Sequence, residues 1–131
     1  MNETLASIDI GLKRIGVALC VHDNIVTPQV AILRKNRNQA ANEVDEFLKQ
    51  WNITTLVVGF PSASIDMQNR IKHFVQLLKF EGKIVFQEEN MSSIEAKSLM
   101  QGKIKQKRDG RIDSIAAQII LQRYLQSIKT K

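Results

Sequence analysis

Asp9 interrupts the apolar run Leu5-Ala6-Ser7-Ile8-Asp9-Ile10, and Gly11 separates it from a second run, Ile15-Gly16-Val17-Ala18-Leu19. A carboxylate in a buried strand is costly unless a metal, a cation or hydrogen-bond donors satisfy it. Strand alternation puts Ser7 and Asp9 on one face and Ala6, Ile8 and Ile10 on the other. Three further acids matter: the pair Glu88-Glu89, which follows Lys83-Ile84-Val85-Phe86-Gln87, and Asp113, which opens a long apolar segment. Each has an ordinary explanation. Asp9 can start a turn before Gly11, Glu88 and Glu89 can occupy an exposed strand end, and Asp113 can cap a helix. Brought together, they would offer hard oxygen ligands to Mg²⁺ or Mn²⁺. Two such ions about 4 Å apart can activate a water and stabilise the leaving oxygen of a phosphodiester. No His/Cys cluster has zinc spacing, and His22 and His73 read as surface or helix-face residues.

The basic residues point to the same chemistry. The net charge is +6, from 19 Lys and Arg against 13 Asp and Glu, which favours a polyanionic partner. Lys97, Lys103, Lys105, Lys107, Arg108 and Arg111 crowd one stretch with Gly102 and Gly110 near its ends. A solvated loop accounts for that stretch, and a loop that holds a phosphate backbone is the sharper reading. Lys13 and Arg14, in the turn after Asp9, are placed to hold phosphate as well.

These residues need a scaffold. At 131 residues, 44% hydrophobic and 24% charged, the chain is expected to form one globular domain over 1–131. Met1-Asn2-Glu3-Thr4 has no basic region, and the apolar run after it is too short for a signal or membrane segment. A single cysteine, Cys20, excludes an internal disulfide, fits a reducing cytoplasm and reads as a small core residue.

Residues 4–10 and 14–20 read as strands joined by a tight turn, and 25–33 as a third, with Pro28 indicating a sheet edge. The loop Arg34-Lys35-Asn36-Arg37-Asn38 leads into a helix over 39–51, where Val44, Phe47, Leu48 and Trp51 make one stripe. Thr54-Thr55-Leu56-Val57-Val58 has the continuous β-branched character of a central parallel strand and ends at Gly59-Phe60-Pro61. A helix over 64–80 carries Met67, Ile71, Phe74, Val75 and Leu78 on one face and stops by Gly82; 83–87 is a fifth strand. Ser92 and Glu95 form a capping box opening a short helix. After the basic stretch, a last helix over 111–128 is apolar around most of its girth and must be largely buried.

Short turns make strands one to three an antiparallel meander. Helical crossovers make strands four and five parallel to strand one. The expectation is an α/β fold, a mixed five-stranded sheet flanked by helices, with strands one, four and five ending at one edge. Ligands bind at that edge in open α/β sheets. Gly59 would leave room there for an ion, and Ala116 and Ala117 would let the last helix approach closely.

The segment Ile8-Asp9-Ile10-Gly11-Leu12-Lys13-Arg14-Ile15-Gly16-Val17-Ala18 resembles the opening signature of the YqgF/RuvX family. Val57-Val58-Gly59-Phe60-Pro61, Glu88 to Ala96, and Ile112 to Leu121 are similar to its later motifs and follow in family order. The resemblance spans nearly the whole chain. It implies an RNase H-like, metal-dependent nuclease, related to Holliday junction resolvases and implicated in maturing the 5′ end of the small-subunit ribosomal RNA precursor. The family's acids correspond to Asp9, to Glu88-Glu89 (Glu89 the better match) and to Asp113. Three departures bear on substrate contacts. Leu12 stands where the family usually has Thr, Glu88-Glu89-Asn90 where it has Asp-Glu-Arg, and the segment after Pro61 is shorter and lacks an Asp-Gly turn.

The implied reaction is phosphodiester hydrolysis with one or two ions held by Asp9, Glu89 and Asp113, with Glu88 beside them. Precursor rRNA or structured DNA is the expected partner, with ribosomal particles in prospect, no membrane, and a monomer or weak dimer in the cytoplasm. A junction resolvase would use the same acids on branched DNA, and a nucleic-acid-binding module would use them structurally. A sugar-kinase or actin-like lobe also begins with Asp-x-Gly, but 131 residues cannot supply its second lobe.

Overall fold

The computed structural model describes residues 3–22, 25–88 and 111–129, with side chains of the last helix described from 114 to 128. Five strands, β1 (Leu5–Ile10), β2 (Arg14–Cys20), β3 (Thr27–Leu33), β4 (Thr55–Phe60) and β5 (Lys83–Glu88), form one sheet in the order β3-β2-β1-β4-β5. β1 pairs antiparallel with β2 and parallel with β4, β2 pairs antiparallel with β3, and β4 pairs parallel with β5. The expected meander and crossovers are therefore present, with Pro28 on an edge strand. The strand bounds differ from expectation by one or two residues; β3 starts at Thr27 rather than at 25, where the Ile25 N–H donates to His22 O.

Three helices are described: α1 (Arg37–Gln50), α2 (Ile65–Gln76) and α3 (Arg111–Lys129). α1 begins two residues earlier than its apolar stripe suggests, because Asn36 and Gln39 form a reciprocal capping box. Ser64 caps α2 by accepting from the Met67 N–H. That helix was expected to run to 80 and stops at Gln76. The Leu77 and Leu78 N–H groups reach back to Phe74 O and Val75 O, the Lys79 N–H turns to the Asp45 carboxylate, and Leu77, Leu78 and Phe80 all pack on the core. Continuing as a helix would carry one of those three side chains away from it. The expected capping box at Ser92 and most of the basic stretch lie outside the described residues.

Two cores sandwich the sheet. On one face Ala6, Ile8, Ile10, Val58 and Leu56 pack against Ala40, Val44 and Leu48 of α1 and Ile71 and Phe74 of α2. On the other, Leu5, Ala18, Cys20 and Val57 pack against Ala117, Ile120, Leu121 and Leu125 of α3. Each fully buried aliphatic side chain contributes about 1.5–3 kcal/mol relative to exposure. No helix among the described residues is long and apolar enough to cross a membrane.

Candidate active site

β1, β4 and β5 point the same way, so Ile10, Phe60 and Glu88 end at one edge of the sheet. The β1–β2 hairpin also turns there, as its antiparallel register requires. Its tightness depends on Gly11, whose N–H donates to Arg14 O at 2.9 Å. A Cβ on residue 11 would lie 2.7 Å from that same oxygen, so no larger residue closes this turn without displacement.

Asp9 sits one residue before the end of β1, half-buried, on the face covered by α3. The sheet neighbours it with nothing bulky. Gly16 is its partner in β2, and Gly59 follows Val58, the parallel partner of Ile8. Beside Gly16 the β2–β3 register slips: Ile15 pairs with Ile32 but Val17 with Gln29, so Gly16 alone faces both Val30 and Ala31. A bulge of this kind breaks the ladder and re-aims what lies next to it. At the break the Val17 N–H donates to Ser114 Oγ at 2.9 Å, and Ser114 is wholly buried.

One turn on, Ser7 Oγ donates to the Ala117 carbonyl at 2.6 Å. These two bonds set how α3 lies on the sheet. Going from Ala117 to Ser114 leads from Ser7 toward the end of β1, so α3 runs antiparallel to β1 with its start at the Asp9 edge. Four helical residues rise about 6 Å and two strand residues about 6.6 Å. The start of α3 is therefore at the Asp9 end of β1. Ser7 and Ser114 were not singled out for this role from sequence, though each lies beside an acid that was. Ser114→Ala is expected to leave the Val17 N–H buried and unpaired, at a cost of about 1–3 kcal/mol. A thermal melt should show this as a fall of roughly 3–10 °C.

Glu88 falls on the other face. Gln87 pairs with Gly59 and Glu88 with Phe60, so Gln87 shares the Asp9 face while Glu88 sides with Phe60 and Phe86, whose rings are 5.0 Å apart. Among the described residues no three His, Cys, Asp or Glu side chains group so as to hold a metal ion. Glu89 and the side chain of Asp113 lie outside the described residues, as do Lys103, Lys105, Lys107, Arg108 and the side chain of Arg111. Lys13 and Arg14 are exposed on the hairpin, and Leu12, 64% exposed, takes the tip where the family resemblance led one to expect a hydroxyl. Sequence reasoning also passed over Arg34. Its Nη1 donates to the Gly11 carbonyl at 2.8 Å, which ties the hairpin to the end of β3.

Strand order, polarity, helices on both faces and an acid near the end of the first strand define the RNase H-like fold of resolvases. Thermus thermophilus RuvC, solved in complex with a Holliday junction substrate, overlays with a TM-score of 0.64 over 98% of this chain and 97% of that one. At 10% identity, that likeness concerns the fold alone. Residues 3–127 match the family described as RuvX, Holliday junction resolvase, and the chain belongs to that family. It is 57% identical over 124 residues to a protein of Sulfurovum sp. (strain NBC37-1), covering 92% of this chain and 97% of that protein. A protein of Sulfurimonas denitrificans is 54% identical over 122 residues, covering 91% and 94%. Both relatives bear the name "Putative pre-16S rRNA nuclease".

Proposed function

We propose that this protein is a divalent-metal-dependent nuclease that hydrolyses a phosphodiester bond of structured RNA, acting on the 5′ end of the 16S rRNA precursor in the cytoplasm. The observation that carries the reading is Asp9: a half-buried carboxylate near the end of a central strand, with glycines at both flanking sheet positions on its face. A hard divalent cation suits such a place, because carboxylate oxygen is its preferred donor and the flanking sheet positions, Gly16 and Gly59, carry no side chain. Asp9, Glu89 and Asp113 would hold the ion or ions. Bound there, Mg²⁺ or Mn²⁺ supplies Lewis-acid polarisation of a phosphoryl oxygen and a lowered pKa for water. Support for Asp113 comes from the helix register, and support for Glu89 over Glu88 from alternation, since Glu88 is on the face away from Asp9.

The chain's own residues divide the remaining work. Lys13 and Arg14, exposed on the hairpin four and five residues after Asp9, neutralise and orient the substrate's phosphates. Lys103, Lys105, Lys107, Arg108 and Arg111 add charge for the same backbone. Residues of β1 on either side of Asp9 pack into two cores, which fixes the strand that carries it, as in-line attack demands of a positioned group.

A Holliday junction resolvase is the second reading, favoured by the family description and the overlay with RuvC. The test uses end-labelled RNA spanning the mature 5′ boundary in competition with a separately labelled four-way junction, with Mn²⁺ or Mg²⁺. RNA cleavage that stops on adding EDTA and resumes with excess metal is the expected result. Cleavage indifferent to EDTA defeats the metal assignment, preferential cutting of the junction gives the resolvase, and metal-independent binding without cleavage leaves a binding module.

A further inference from the structure

Resting on the nuclease reading, we infer that Lys35 and Arg37, at the entry to α1, form a second nucleic-acid backbone surface that carries the substrate away from Asp9 on the β3 side. Arg34 is the brace that makes this surface one body with the hairpin. Its N–H donates to Lys13 O and its Nη1 to Gly11 O, both at 2.8 Å. Its guanidinium lies 5.5 Å from the centroid of the Phe74 ring, which is 1% exposed. Residues 11–14, Leu33 and Arg34 line a shallow depression between the two segments. Lys35 and Arg37 are both exposed and follow directly.

The charge pattern sets this part of the edge apart. No Asp or Glu occurs over residues 10–22 or 24–42, and the first acid of α1, Glu43, accepts a hydrogen bond from Gln39. The first turn of α1 holds no acid and begins with Arg37, with Lys35 just before the cap. Cations at a helix's positive end work against the macrodipole, whereas α2 follows the favourable rule with Asp66 in its first turn. Arg37 makes a 3.1 Å contact with His73 Nδ1, a ring nitrogen rather than a carboxylate, so its charge is not neutralised there. Packing therefore does not explain the cations, and a polyanion passing along this edge does.

The experiment measures binding of a fluorescein-labelled single-stranded RNA and a labelled four-way DNA junction by anisotropy, in EDTA, over roughly 50–200 mM KCl. Lys35→Gln/Arg37→Gln is compared with wild type and with Lys79→Gln/Lys83→Gln, which removes two exposed charges from the opposite end of β5. The first variant should bind about tenfold or more weakly, with its salt slope reduced by about 1.4–1.8 for two lost phosphate contacts. It should melt no lower than wild type and keep its cleavage rate at saturating substrate. The control pair should bind nearly as wild type does. Unchanged affinity and slope in Lys35→Gln/Arg37→Gln, or an equal loss in the control, overturns this inference while an active wild type keeps the nuclease reading. A wild type that binds neither probe in EDTA overturns this inference, whereas the nuclease reading falls only if the protein also fails to cleave with metal present.

Discussion

Asp9→Asn is expected to lower metal-dependent RNA cleavage by about 10²–10⁴-fold without unfolding the protein. The loss corresponds to roughly 3–5 kcal/mol of transition-state stabilisation, the scale of a metal ion's electrostatic contribution. The amide is isosteric with the carboxylate, so the pairing of residue 9 with Gly16 and the packing beneath α3 have no reason to change. Single-turnover cleavage at saturating Mn²⁺ is measured beside a circular-dichroism melt. The melt reads any change in stability separately from the loss of cleavage, so an inactive variant that still folds is told apart from an unfolded one. A variant that cleaves at the wild-type rate ends the assignment of Asp9, whatever the fold.

Ile120→Ala should cost about 2–5 kcal/mol, read as a lower urea midpoint at unchanged slope. Ile120 is fully buried between α3 and the sheet, in the cluster that includes Ala18, Val57 and Leu121. The deletion leaves a cavity under the helix whose start lies at the Asp9 edge. The two serine bonds, Ser7 to Ala117 and Val17 to Ser114, lie in the first two turns of α3, and Ile120, Leu121 and Leu125 pack its following turns on the sheet. Cleavage should fall with the seating of α3, and saturating metal should restore part of the stability, since an ion bound only by the folded state stabilises it by mass action. A midpoint unmoved by the substitution would mean that α3 is held by something other than this core.

Much of this protein was legible in its residues one neighbourhood at a time. Period-two alternation gave the face shared by Ser7 and Asp9, and helical periodicity gave most of the buried sides of α1 and α3, the exception being Trp51, which follows the end of α1 and is exposed. The order of short turns and helical crossovers gave the sheet's polarity. Family motifs pointed to Asp9, Glu88-Glu89 and Asp113 as candidate acids, of which the described residues place Asp9 near the end of β1 and Glu88 on the opposite face. All of these are local regularities, written within a turn of helix or a few residues of strand.

Other features depend on partners far along the chain, and only the tertiary structure decided them. The bulge that offers the Val17 N–H to Ser114 exists because β3 pairs with one residue too many opposite Gly16. α2 ends at Gln76 because Asp45, on another helix, takes the Lys79 N–H. The side of the sheet on which Glu88 lies follows from its register with Phe60, and the task of Arg34 from a carbonyl 23 residues earlier. Pairing register and leftover hydrogen-bond donors are settled by segments that meet only on folding, so composition and spacing alone do not specify them.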